Sequence, residues 1–369
     1  MRFLSRFQTN MIICIVVFLV GILITELRYT YLYQQEIKTL KNHFNEYSLQ
    51  SYLALSRGLE QEVDRLKKLV MVFEVEEHVS REEFNQYAQV IVSSGISVQS
   101  VQWTPVVKEA DRVPFEKSIR AEGFENFTIQ SVQNGKLVPV KKSNQYAVVN
   151  YIYPFEVNQM AMGLDVYSSQ NQRAGLLQAA STGSVVASAP IQLVQAPRLM
   201  PSVILYHPIY NAEGMLMGYV NLILNVDFFW KTILRSMGIG RSLHYQITDQ
   251  NVQNTPYLTL QDVHLDKGGE NFLLNEFLIP IGGRFWQFQV MADLTQLPHY
   301  KNNRDEGGFF YFIFGWALSA LLAVFVFIWL KLRQEKQTVQ DKLKAQEQRY
   351  RALFEQSSNA FYLLDYEGN

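Results

Sequence analysis

Six histidines, at 43, 78, 207, 244, 264 and 299, and one cysteine, Cys14, are the residues from which metal or nucleophilic chemistry would have to be built. No two histidines stand at a spacing that pairs metal ligands, and neither a His-Glu-x-x-His run nor a Cys2His2 pattern occurs. Cys14 lies inside an apolar run, where a thiol packs rather than reacts. Gly238-Ile239-Gly240 follows a helical stretch and lacks the preceding strand and third glycine of a phosphate-cradling loop, so it reads as a helix exit. Asn126-Phe127-Thr128 matches a glycosylation sequon, a pattern too short to carry a role. The expectation is a chain with no catalytic residue, no metal site and no cofactor. A net charge of −1 with 18% charged residues also leaves no basic footprint for nucleic acid. What remains is binding of a small molecule, which needs a largely apolar pocket with a few aimed polar groups.

The elements that would position such a pocket lie between two apolar runs, Met11–Thr25 and Phe309–Leu330. The second has 22 residues, which at about 1.5 Å each make roughly 33 Å of helix, enough for a hydrocarbon core of about 30 Å. Its fourteen Leu, Ile, Phe and Val residues face no charge. The first is short and follows Arg2 and Arg6, as in a signal peptide, but no small-x-small cleavage site follows it. Tyr29, Tyr31 and Tyr33 suit an interfacial aromatic belt, so the run is read as an uncleaved anchor. Lys331, Arg333, Lys336, Lys342 and Lys344 crowd the C-terminal side of the second run and place that side in the cytoplasm. Two spans then put residues 1–10 in the cytoplasm, spans at 11–27 and 309–330, and residues 28–308 outside it, in a multi-pass inner-membrane protein.

Within the outer segment, Ile37, Leu40, Phe44 and Tyr47, then Leu55, Leu59, Val63, Leu66, Val70 and Phe73, recur at helical steps. They predict one stalk helix over residues 28–79, part of whose stripe meets a second copy in a homodimer. Ser80-Arg81-Glu82-Glu83 reads as a capping box that starts a second helix. Val98–Trp103, stopped by Thr104-Pro105, and Tyr146–Tyr153 read as strands, with a helix between them begun near Asp111 and Pro114 and closed by Gly123. Ser169–Ala180 reads as a helix ended near Gly183. Val203–Tyr210 and Met217–Val226 form a hairpin, and Leu243–Thr248, Phe272–Ile279 and Arg284–Met291 a smaller sheet near the membrane. Short helices and strands mixed in this way define an α+β class.

The series Trp103-Thr104-Pro105, Arg112, Phe115-Glu116, Gly123-Phe124, Tyr153-Pro154, Gly163-Leu164-Asp165, Arg173, Ala179-Ala180, Thr182-Gly183, Ser188-Ala189-Pro190-Ile191, Leu193 and Pro208-Ile209-Tyr210 resembles a CHASE domain, from about Phe73 to Trp230. Such domains are the external sensors of bacterial diguanylate cyclases and histidine kinases and of plant cytokinin receptors. The resemblance implies two PAS-like subdomains after the stalk, a membrane-distal one at 80–225 that takes the ligand and a membrane-proximal one at 226–308. It also implies ligand-binding positions at Glu156, Leu177 and Ser188. Glu156 occupies the place of an aspartate in the plant receptors and is one methylene longer, which argues against a cytokinin-like ligand; an exposed loop carboxylate stays open for it. Asp165 and Arg173 match the pattern in a structural capacity, as a helix-start carboxylate and a partner for it or for the backbone; Trp103 and Tyr151 read as core and Gly183 as a helix stop.

Beyond Lys331, residues 331–352 read as a linker helix whose Leu332, Val339, Leu343 and Tyr350, with Leu353 following, fit a coiled-coil register. Residues 353–369 resemble the opening helix, first strand and Asp-x-x-Gly turn of a PAS domain, which the sequence would leave incomplete as a fragment or a truncated product. The expectation is therefore a membrane receptor for an unidentified small molecule, relaying to a cytoplasmic PAS and an output domain outside this sequence, a cyclase, phosphodiesterase or histidine kinase. The competing expectation is a membrane-anchored periplasmic module that docks a protein partner and binds no small molecule.

Overall fold

The computed structural model describes residues 2–76, 78–133, 135–192, 201–237, 243–252, 256–260, 269, 271–296 and 308–367. The chain divides into two compact units, one of residues 1–40 with 298–369 and one of residues 41–297. Their elements, in chain order, are α1 (Arg2–Val75), α2 (Arg81–Ser94), β1 (Val98–Lys108), α3 (Arg112–Ala121), β2 (Gln130–Gln133), β3 (Lys136–Pro139), β4 (Gln145–Ala147) and β5 (Tyr151–Tyr153). There follow α4 (Gln170–Thr182), β6 (Val186–Ala187), β7 (Ile191–Gln192), β8 (Pro201–Tyr210), β9 (Leu216–Asn225), α5 (Val226–Ser236), β10 (His244–Asp249), β11 (Pro256–Leu260), β12 (Phe272–Ile281), β13 (Arg284–Asp293) and α6 (Gly308–Glu367).

α1 is a single helix, so anchor and stalk are one element, and both α1 and α6 contain a stretch long and apolar enough to cross a membrane. The helix ends at Val75, short of the expected 79. The capping box then restarts the chain: Ser80 Oγ accepts from the Glu83 amide at 3.3 Å and Glu83 Oε2 accepts from the Ser80 amide at 2.9 Å. From Phe44 onward the predicted stripe is used by its own unit, with Phe44, Leu55, Leu59, Leu66 and Val70 buried in the core.

In the seven-stranded sheet β1 is flanked on one side by β4 and β5 and on the other by β9, which continues to β8 and then β6 and β7. Counted along the chain, its positions run second, first, fifth, fourth, third. β1 does not stop at Thr104-Pro105. It pairs β5 through Val101–Trp103 and β4 through Val106–Lys108, and the proline sits where the partner changes, the one place where a missing N–H costs no ladder bond on that side. For the same reason Tyr146–Tyr153 is two short strands rather than one. A second sheet runs β11-β10-β13-β12, of which β11 carries no clear sequence signal. Trp230 of α5, Trp286 and Phe288 of β13, Leu222 of β9 and Leu66 of α1 share one buried core, so the two sheets pack against a common stalk. The β12–β13 turn also touches the first sheet directly, Ala187 N donating to Gly282 O at 2.9 Å.

Two further expectations change. Asp111 precedes α3 but makes no side-chain cap bond. Residues 360–365, expected as a PAS strand, are helical within α6; a strand needs a pairing edge, whereas a helix satisfies its own backbone groups. Gly238–Gly240, His264 and His299 lie outside the described residues.

Candidate functional site

The two faces of the seven-stranded sheet are covered differently. Val101, Val203, Leu205, Val220, Leu222 and Leu224 point toward α1, α2 and α5. The alternate residues Ile204, Tyr206, Tyr219 and Ile223 pack with Leu176 and Ala179 of α4 and with Val166 and Tyr167. Side chains in a strand alternate between faces, so Gln102 and Thr104 of β1 and Asn221 of β9 belong to this second face.

Register aligns them in rows. One row runs Ile152, Gln102, Asn221, Tyr206, Val186 across five strands, and the next runs Thr104, Tyr219, Pro208. A buried face of this kind is normally apolar. Here Gln102, Thr104 and Asn221 are buried together with three tyrosines, 167, 206 and 219.

Two bonds organise the face. Asn221 Nδ2 donates to Thr104 Oγ1 at 2.8 Å, and the hydroxyls of Tyr167 and Tyr219 lie 2.8 Å apart. Asn221 Oδ1 and Tyr206 Oη have no hydrogen-bond partner among the described residues. Such groups cost about 1–3 kcal/mol each when left unmatched. α4 crosses the Tyr206 ring with Gly175, where a Cβ would come within 2.9 Å of Cε2. Burial raises the Tyr206 phenol far above its ordinary range, and burial followed by the bond to Tyr167 does the same for Tyr219. Both phenols therefore present neutral O–H groups. Asp165 borders the face, and its Oδ1 accepts from the amides of Ala147 at 2.9 Å and Tyr167 at 3.1 Å. Burial raises its carboxyl above the usual range, and those amides offset part of the rise.

The residues anticipated from sequence fall in several places. Ser188 is buried at the end of β6, accepting from Ile204 N at 3.0 Å and donating to Ala189 O at 2.6 Å, so its hydroxyl extends the ladder to β8. Glu156 is exposed in the turn after β5, and Leu177 lies on the exposed side of α4, 44% accessible, while its neighbours Leu176 and Ala179 are buried. Asp165 starts the short 3-10 turn Val166–Ser168. Arg173 sits 5.8 Å above the Tyr167 ring. Trp103 faces the stalk, 4.5 Å from Phe73, Tyr151 packs against Phe84 at 5.5 Å, and Gly183 ends α4 with φ +63°. Gln102, Thr104, Tyr206, Tyr219 and Asn221 were not anticipated. Their signal is the polar residue set between apolar neighbours in Val101-Gln102-Trp103, Leu205-Tyr206 and Val220-Asn221-Leu222, which in a sheet covered on both sides marks an inward polar group. No cluster of three or more metal-ligating side chains occurs among the described residues.

Residues 77–258 match the CHASE domain family. No curated protein matches the chain. Among solved structures it is similar to an extracellular ligand-binding receptor from Desulfohalobium retbaense (10% identity, TM-score 0.41, 68% of this chain and 39% of that chain covered). It is likewise similar to two ligand-binding domains of Pseudomonas aeruginosa amino-acid chemoreceptors. One is that of PctC in complex with GABA (11% identity, TM-score 0.42, 68% and 100% covered). The other is that of PctB in complex with L-Arg (12% identity, TM-score 0.40, 73% and 96% covered).

Proposed function

We propose that this chain, carrying a CHASE domain over residues 77–258, is a transmembrane receptor that takes a small molecule on the covered face of its seven-stranded sheet. The observation that carries the reading is the buried row of Gln102, Asn221 and Tyr206 with two polar atoms unmatched. A ligand that supplied the missing partners would recover the free energy those groups lose on burial.

The chemistry of the face selects the ligand class. Its two rows contain amides, a hydroxyl and phenols and no charged side chain, while at its border the Asp165 carboxylate is already engaged by two backbone amides and the Arg173 guanidinium lies over the Tyr167 ring. An ion placed against the rows themselves would be desolvated with no counter-charge in either row. The ligand is accordingly neutral at its point of contact, with an apolar body and at least one acceptor for the Tyr206 hydroxyl and one donor for Asn221 Oδ1.

The strand order of the seven-stranded sheet and its coverage by helices support the reading of a PAS-like distal subdomain, with the four-stranded sheet as the proximal one. Leu332, Val339, Leu343, Tyr350 and Leu353 on α6 are exposed in the single chain, which supports a coiled-coil linker in a homodimer. The receptor would relay to a cytoplasmic PAS and an output domain, itself having no enzymatic role. Ligand must prefer one of two states to shift anything.

Thermal unfolding of the full chain in lipid nanodiscs, against a panel of neutral and charged metabolites, tests this. Stabilisation by a neutral compound is expected, with at least about tenfold weaker binding in Tyr206→Phe and Asn221→Leu. Stabilisation only by charged amino acids would overturn the ligand class. No stabilisation by any compound would favour the partner-docking reading.

A further inference from the structure

The apolar stretches of α1 and α6 meet through an arrangement that the sensing reading does not use. A Cβ on Gly21 would lie 2.4 Å from Ser319 Oγ, and a Cβ on Gly315 would lie 2.3 Å from Thr25 Cγ2. Each glycine is thus a notch filled by a hydroxyl-bearing residue of the other helix. Within each helix the notch and the filler are four residues apart, on one face. The hydroxyls are satisfied at home: Thr25 Oγ1 donates to Gly21 O at 2.9 Å and Ser319 Oγ to Gly315 O at 2.8 Å. No polar hydrogen is therefore offered to lipid, and the methyl and methylene faces are free to pack. One turn further on, Tyr29 continues the series against Tyr311 and Phe312, with ring centroids at 5.8 and 4.6 Å.

We infer that the two membrane-crossing stretches are locked within each chain by this reciprocal glycine–hydroxyl interlock, in one axial register, so that they move as a single piece. The inference rests on reading both stretches as spans. Association in lipid depends on close packing at small residues rather than on a hydrophobic drive. A slide of one turn would set Gly21 against Gly315 and Thr25 against Tyr311, or in the other direction Thr25 against Ser319 and Tyr29 against Gly315, and neither keeps the two glycine–hydroxyl pairs. A signal crossing the membrane would then tilt or rotate the pair, and α6 would not slide along α1.

Cysteine cross-linking in membranes tests it, in a Cys14→Ser background so that no other thiol competes. Tyr29→Cys with Phe312→Cys replaces the ring contact of 4.6 Å that lies one turn beyond the interlock and leaves both glycines and both hydroxyls in place, and mild oxidation is expected to close a disulfide within one chain. The off-register pair Tyr29→Cys with Trp316→Cys, one turn along α6, is expected to react at least several-fold more slowly. Adding Gly21→Leu to the in-register pair is expected to slow its closure, and Gly21→Ala to slow it less. Equal rates for the two pairs, insensitivity to Gly21→Leu, or links formed only between chains would overturn the interlock. Retention of the chain in the alkaline-washed membrane pellet is measured alongside: loss from the pellet overturns the span reading and the inference with it, while retention without the in-register link overturns the inference alone.

Discussion

The side-chain amide of Asn221 on β9 donates to Thr104 Oγ1 on β1 at 2.8 Å, and this bond ties neighbouring strands on the polar face while leaving Asn221 Oδ1 unmatched. Thr104→Val keeps the shape and strands the amide. It should cost about 1–3 kcal/mol, and Thr104→Val with Asn221→Leu should cost less than the sum of the single changes, because both partners then become apolar. Urea unfolding of the solubilised chain measures the coupling; strict additivity would sink the assignment.

Glu62 is a carboxylate with no exposed surface, in the middle of the stalk helix, and its Oε1 accepts from the Ile96 amide at 2.9 Å while pairing with Arg65 at 3.0 Å. It holds the chain two residues before β1, the strand that carries Gln102 and Thr104. Glu62→Ala should destabilise by about 2–3 kcal/mol, since it leaves the partly buried Ile96 N–H unmatched and takes from Arg65 its carboxylate partner, with only the bond to Ser94 remaining, and Glu62→Gln should cost less. Amide exchange at Ile96 gives a local reading, and unchanged protection in Glu62→Ala would contradict the tether.

At Gly282, with φ +48°, a Cβ would lie 2.3 Å from Ala187 N, so backbone meets backbone at the junction of the two sheets. Nothing there can yield as a flexible side chain could. Gly282→Ala should destabilise by about 2–3 kcal/mol through strain and overlap, whereas Gly214→Ala, in an open turn with φ +76° and no neighbour within 4 Å, should cost about 1 kcal/mol. Comparison of the two melting temperatures checks the ranking.

Burial lowers the pKa of His207 and His244 below the ordinary 6.5, so the fold favours their neutral forms. Their contribution is present above that value and is lost as pH falls through the folded-state pKa. The melting temperature should drop between about pH 7.5 and pH 5.5, and less so in the His207→Gln, His244→Gln double variant. Asp165 acts in the opposite sense, since its raised pKa gives stability that is present at low pH and lost as pH rises; the slopes are therefore compared in an Asp165→Asn background. An identical slope with and without the histidines would refute their part in it.

Much of this molecule is written locally. The apolar runs around Cys14 and Phe325, the capping box at Ser80–Glu83, the hairpin across Asn211–Gly214 and the helix stop at Gly183 each depend on residues a few positions apart, so a linear reading finds them. The ordered motifs from Trp103 to Tyr210 fall within residues 77–258, the stretch that matches the CHASE family. Other features depend on register between distant segments. Gln102, Asn221 and Tyr206 come from three strands and become one row only when β1, β9 and β8 are aligned, and Glu62 meets Ile96 only because the stalk packs under β1. The interlock likewise needs Gly21 and Ser319, almost 300 residues apart in sequence, to face each other. Local spacing determines which elements form and which of their faces are apolar; pairing across the chain decides which polar residues end up buried together, because burial is a property of neighbours and not of the residue itself.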